Sequence, residues 1–137
     1  MTVFVDTSAL VALENRSDGA HRGAVRTFRR LLKEGAALVT SDYCFDETLT
    51  LLKLRANAAV AAAWGRRLLS SSLFEVAFVD RSILEAGLDV FEGAADQPFS
   101  FTDCTSFAFM RSRGIDTAFA FDDDFTRYGF RRFPAGR

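Results

Sequence analysis

The sequence predicts an α/β fold built on a parallel sheet of four to five strands. Two observations carry that prediction. Short runs rich in strand formers alternate with longer stretches of helical periodicity, and strands that alternate with helices pair in parallel through right-handed crossovers. The length, 137 residues, fits a single domain over 1–137 and allows one sizeable core. There is no internal repeat, low-complexity tract or interdomain linker.

Residues 2–6 read as the first strand, because Val3, Phe4 and Val5 form an apolar run ended by Asp6. Residues 7–14 follow as a short buried helix, and 15–19 (NRSDG) as a turn. Residues 20–34 read as an amphipathic helix. Ala24, Val25, Phe28, Leu31 and Leu32 make its apolar stripe, with Arg22, Arg26, Arg29, Arg30 and Lys33 outside. Gly35 stops it. Residues 36–40 are the second strand.

Ser41 or Asp42 caps a helix running to about residue 54. An Ala-rich helix covers 57–69 and breaks at the serines of 70–72. Residues 74–79 are the third strand, 80–95 a helix and 96–100 a loop. Residues 102–112 are a helix closed by Arg113 and Gly114, and 117–121 the fourth strand. Residues 122–128 form a short turn or helix, and 129–133 a last edge strand.

Composition narrows the class. Apolar content of 49% and charged content of 26% are ordinary for a globular protein. The net charge of -1 argues against an overall electrostatic grip on nucleic acid, but basic residues at 22–33 and acids at 122–124 are segregated, which matters more than the sum. Two cysteines, Cys44 and Cys104, make no disulfide framework or CxxC pair, and the single His21 reads as a surface residue, too few for a His-based zinc site. No signal peptide and no apolar run near the roughly 20 residues of a membrane helix is expected, so the setting is read as reduced and cytoplasmic, with no membrane partner. The 15 Phe point to a core or an interface built from aromatic area.

Four acids carry the chemistry. Parallel strands with right-handed connections bring all their carboxyl ends to one edge of the sheet, where open α/β folds place ligand chemistry. Asp6 ends the first strand and Asp122 the fourth; Asp103 opens a helix. Glu47 lies one to two turns into the helix after the second strand, where it interrupts an apolar stripe with Cys44 and Leu51. Asp6, Asp103 and Asp122 read equally as helix or turn caps. Gathered in one pocket, four carboxylates raise one another's pKa. A divalent cation relieves that, and an all-oxygen ligand set selects Mg2+ or Mn2+.

The ordered set VDTSAL (5–10), DET (46–48), FTDCTSFAFM (101–110) and AFAFDDDF (118–125) resembles the PIN-domain nucleases, and within them the VapC-type toxins of toxin–antitoxin pairs. The resemblance implies a three-layer α/β/α fold and matches Asp6, Glu47, Asp103 and Asp122 to the family's acidic quartet, as catalytic residues and metal ligands. Asp122 is preferred to Asp124 because the family's acid precedes an aromatic by three residues, here Phe125. Thr7 and Ser106 match hydroxyl positions that line the same pocket, and Asp124, which departs from a simple match, is expected beside them. Also implied are Mg2+-dependent endoribonuclease activity leaving a 5′-phosphate and a 3′-hydroxyl, a homodimer and a small cognate antitoxin. The metal would activate a water for in-line attack on phosphorus. Basic residues must hold the flanking phosphates, with Arg16, Arg22, Arg26, Arg29, Arg30, Arg111, Arg113, Arg131 and Arg132 the candidates.

Two other readings compete. A phosphatase of the haloacid-dehalogenase type would want a second Asp two residues after Asp6, but position 8 is Ser. A non-catalytic PIN-like module that binds RNA or protein would have no reason to keep a costly carboxylate cluster.

Overall fold

The computed structural model describes residues 1–135, so the last two residues of the domain expected over 1–137 lie outside the described residues. The elements follow the order β1 (Thr2–Val5), α1 (Thr7–Glu14), α2 (His21–Lys33), β2 (Ala37–Ser41), α3 (Asp42–Arg55) and α4 (Ala58–Ser70). Then come β3 (Phe74–Ala77), α5 (Arg81–Gly93), α6 (Phe101–Arg113), β4 (Thr117–Phe119), α7 (Asp124–Arg127) and β5 (Arg131–Phe133). The strands form one sheet in the order β3-β2-β1-β4-β5. Every pairing is parallel, as expected, with Phe4 opposite Val39 on one side and Ala118 on the other.

Strand order positions the site. The chain steps outward from β1 through β2 to β3, then returns to lay β4 on the other side of β1. The connection reverses direction between β1 and β4, and such a switch point opens a crevice at the carboxyl ends of the two strands. Asp6 and Asp122 leave the sheet there, and the Asp6 amide donates to the Phe119 carbonyl at 3.0 Å.

Both faces of the sheet are covered. Successive strand side chains point to opposite faces, yet Val3, Phe4 and Val5 are all 0% exposed. This is the three-layer α/β/α arrangement. Phe4 meets Phe109 of α6 and Phe125 of α7, with ring centroids 5.8 and 6.2 Å apart. Helix α6 is buried all round from Cys104 through Met110, and the hydroxyls of Thr105 and Ser106 inside that stretch are satisfied by the Thr102 carbonyl. Each fully buried Phe or Met there contributes roughly 1.5–3 kcal/mol of transfer free energy. The aromatic surplus gathers round its middle, where Phe107 stacks on Tyr128 at 4.5 Å and meets Phe99, Phe125 and Phe130. Gly114 caps α6 at φ 66, a left-handed conformation that glycine adopts without a side-chain clash.

Strands β1, β3 and β4 end earlier than expected, and the reasons are visible. The Phe121 amide turns to the Ser8 hydroxyl (3.0 Å) and the Val79 amide to the Asp42 carboxylate (2.8 Å), so β4 and β3 lose their ladder partners. Asp6 leaves β1 to cap α1. His21 differs more. Its Nδ1 donates to the Ala12 carbonyl at 2.8 Å, so the half-buried ring ties the start of α2 to α1 rather than standing on the surface.

Candidate active site

Each of the four acids is held by one of its oxygens. Asp6, 4% exposed, accepts from the Ser8 amide (3.1 Å) and the Ser8 hydroxyl (2.7 Å), both on Oδ2. Asp103 forms a capping box with Ser100: its Oδ2 accepts from the Ser100 amide, and the Ser100 hydroxyl accepts from the Asp103 amide, each at 3.0 Å. Asp122 Oδ1 accepts from the Asp124 amide at 3.2 Å. Glu47 Oε1 accepts from the Thr7 hydroxyl at 2.7 Å. Capping therefore does not exclude a site role for these acids. Such a bond occupies one carboxylate oxygen and fixes the group, and the second oxygen meets no amide or hydroxyl donor among the described residues.

These acids line one cavity of about 360 Å³ at the carboxyl edge of the sheet, together with Thr7, Asp124, Asp18, Arg55 and Phe121. Burial pushes the Asp6 carboxyl up to about 7, helped by the charge of Asp122 and less by Asp103, against the lowering bonds from Ser8. Burial likewise pushes Asp103 up to about 6, with Asp124 and Asp122 adding and Ser100 opposing. Asp122 is raised by burial and then by Asp124, and it lies close enough to Asp6 to share a proton. Glu47 stands on the far wall, bound to Thr7.

The neighbouring acids divide. Asp124 shares the cavity and sits 3.6 Å from Arg127, whereas Asp123 is exposed and pairs with Arg132 at 3.1 Å. Ser106 does not line the cavity. Its hydroxyl, 1% exposed, donates to the Thr102 carbonyl (3.0 Å) and meets Cys44 Sγ at 3.8 Å, joining α6 to α3.

Of the expected phosphate grips, Arg30, Arg111, Arg113 and Arg132 are engaged elsewhere. Arg113 forks onto Glu75 at 2.8 and 2.9 Å, near the amino ends of the strands, and Arg111 lies 5.0 Å over Tyr128. Arg30 pairs with Glu34 at 3.0 Å, and Arg132 donates to the Asp122 carbonyl at 2.8 Å. Arg16, Arg22, Arg26, Arg29 and Arg131 are exposed, and none lines the cavity. The sequence reading missed Arg55 and Ser8. Arg55 had a signal, because it follows Glu47 and Leu51 at four-residue spacing. Ser8 was weighed only as a missing Asp, yet its hydroxyl joins Asp6 to the Phe121 amide.

A larger cavity, about 880 Å³, lies at the opposite edge against Thr2, Leu38, Glu75, Arg113 and Thr117. Its Glu75 and Arg113 satisfy each other, so it lacks the crowded carboxylates of the smaller one. Among the described residues no three acidic, thiol or imidazole groups already close round one point as an ion's ligands would. The donor set still fits a hard divalent cation. It is all carboxylate, each group has an oxygen to offer, and burial, reinforced by mutual repulsion, keeps Asp6, Asp103 and Asp122 protonated further up the pH scale than ordinary acids.

The family model of the PIN domain matches residues 3–131. The chain belongs to the PIN-domain family. Among relatives of this PIN domain is the 23S rRNA-specific endonuclease VapC20 of Mycobacterium tuberculosis, 38% identical over 130 residues, covering 93% of this chain and 95% of the relative. The crystal structure of Mycobacterium tuberculosis VapC20, described as a sarcin–ricin loop cleaving toxin, superposes with a TM-score of 0.83 at 35% identity over 93% of this chain and 95% of that one. VapBC2 from Rickettsia felis, bound to a DNA fragment from their promoter, shares the fold at a TM-score of 0.74 and 11% identity, covering 96% of this PIN domain and 97% of that chain. FitAcB from Neisseria gonorrhoeae shares it at 0.68 and 16%, covering 97% and 96%.

Proposed function

We propose that this PIN domain is a metal-dependent endoribonuclease, the toxin of a VapBC-type pair, and that it cuts ribosomal RNA. The observation that carries the reading is the convergence of Asp6, Glu47, Asp103 and Asp122, from four distant stretches, on one cavity at the switch point. The likeness to a 23S rRNA-specific endonuclease along nearly the whole chain supports the substrate class.

Asp6, Glu47, Asp103 and Asp122 are the residues that would hold the ion, Mg2+ or Mn2+ by the hardness of their oxygens. Such an ion, when bound, supplies Lewis-acid activation of water and stabilises charge at a phosphoryl group. The protein's own contribution is preorganisation. Ser8, Ser100 and Thr7 lock three of the carboxylates in place, and the Asp122 loop is pinned by Arg132. Below about pH 7 the Asp6–Asp122 pair keeps a proton unless a cation displaces it.

A small antitoxin and a homodimer belong to the same proposal. Phe78, Leu88 and Phe91 expose apolar area that a protein partner would cover. No helix among the described residues is long and apolar enough to cross a membrane.

The test is incubation of the purified chain with ribosomes in Mg2+ and in EDTA, followed by mapping of the 23S rRNA. The proposal expects one dominant cut that needs the metal. Intact rRNA under both conditions, with the protein folded, contradicts it.

A further inference from the structure

The cavity collects six carboxylates (Asp6, Asp18, Glu47, Asp103, Asp122 and Asp124) and one cation, Arg55, among its described lining residues. A polyanion approaching such a rim needs a compensating positive group, since phosphate contacts fix the register of a nucleic acid. Arg55 is placed to be that group.

Its position follows from α3. Glu47, Leu51 and Arg55 recur at four-residue spacing, so they lie on one face of the helix, and all three line the cavity. Eight residues of helix advance about 12 Å, so the face runs along the cavity wall from Glu47 to the half-exposed Arg55 side chain. Arg55 is held at 3.5 Å by Asp18, and its side chain is 48% exposed. A pair of that length and exposure is weak, so a phosphate can replace Asp18 in front of the guanidinium fork. Helix polarity alone does not account for the residue. Lys53 also carries a positive charge in the last turn of α3, but it is exposed and does not line the cavity.

We propose that Arg55 binds a phosphate one or two nucleotides away from the scissile bond and so sets the register of the RNA strand in the cavity. This rests on the endoribonuclease reading above.

The experiment uses a synthetic RNA stem-loop of the sarcin–ricin sequence with the full chain. Cleavage is measured at fixed saturating Mg2+ over a monovalent salt series, and binding of the same RNA by fluorescence anisotropy. Arg55→Ala is expected to raise KM and Kd about five- to tenfold while kcat stays within about twofold. It should also lower the steepness of the log–log salt dependence by about 0.7, the share of one phosphate contact on a single strand. Arg55→Lys should recover part of the affinity, and Lys53→Ala should match the wild type. An unchanged Kd and salt slope in Arg55→Ala overturns the proposal, as does an equal effect from Lys53→Ala. If the wild type cuts nothing, the endoribonuclease reading fails, and the anisotropy comparison judges Arg55 by itself.

Discussion

Thr7 and Glu47, 40 positions apart, are joined by a 2.7 Å hydrogen bond from hydroxyl to carboxylate. Thr7 is the first residue of α1 and Glu47 sits mid-way along α3, so the bond spans the two walls of the cavity. It orients the one acid of the four that no backbone amide holds.

Replacing Thr7 by Val keeps the shape and removes the donor. Thr7→Val is expected to lower kcat/KM for RNA by roughly tenfold, the usual cost of losing a partner that orients a metal ligand. Stability should change by no more than about 1 kcal/mol, since a single net hydrogen bond is lost. Steady-state cleavage together with a thermal melt checks both parts.

Ser8 has a heavier structural duty. Its hydroxyl donates to Asp6 and accepts the Phe121 amide, tying β1 to the chain that leaves β4. Ser8→Ala leaves that amide without its acceptor, which costs about 1–3 kcal/mol. A Tm several degrees lower and a weaker metal-dependent activity are expected. A variant with the wild-type Tm would show that water or another group fills the role.

Arg132 contrasts with its neighbour. Its side chain is 10% exposed, and its guanidinium donates to the Asp122 carbonyl and the Asp123 carboxylate, while Arg131 is exposed. Arg132→Ala is expected to loosen the Asp122 loop, cutting activity roughly tenfold or more and lowering the Tm. Arg131→Ala should leave both near the wild type. Parallel cleavage and melting of the two variants decides it.

The pH dependence of the metal-free protein follows from the raised carboxyls. Asp6 titrates near 7 in the folded chain, against an unfolded value of 3.8, and Asp103 near 6. The folded state holds these protons more tightly than the unfolded one. Their stabilising contribution is present below the unfolded value and is lost as pH rises through about 6 and then 7. In EDTA the Tm contributed by this cluster should therefore fall between pH 5 and 7.5, and Asp6→Asn should flatten the fall. Mg2+ at pH 7.5 should restore the Tm by binding the native state. A Tm in EDTA that rises over that interval, with Mg2+ inert, would remove the electrostatic basis of the site.

The fold was legible because its signals are local. Val3-Phe4-Val5, the stripe of α2 and the stops at Gly35 and Gly114 mark each element by itself, and alternation of strands and helices gives the parallel sheet. Asp6, Glu47, Asp103 and Asp122 could be singled out because each follows a strand, opens a helix or interrupts an apolar face, and together they match a family's motifs. What stayed hidden depends on pairings far apart in the chain. Nothing near Arg113 says that Glu75 will claim it, and nothing near Ser8 says that the Phe121 amide will end a strand on it. Ser106 looked like a pocket residue by its motif, but its turn of α6 carries it into the packing against α3. Arg55 was readable from its spacing to Glu47, but its partner Asp18 lies in a loop whose path only the tertiary structure fixes.

The account stands most directly on cleavage of RNA by Asp6→Asn and Asp103→Asn, each purified and shown by melting to be folded. Both exchanges remove a negative charge from a crowded, buried cluster while keeping its shape, so each variant should be at least as stable as the wild type without metal. The account predicts that Mg2+-dependent cutting drops by about a hundredfold or more in either. Full activity in a folded Asp6→Asn or Asp103→Asn protein would contradict it.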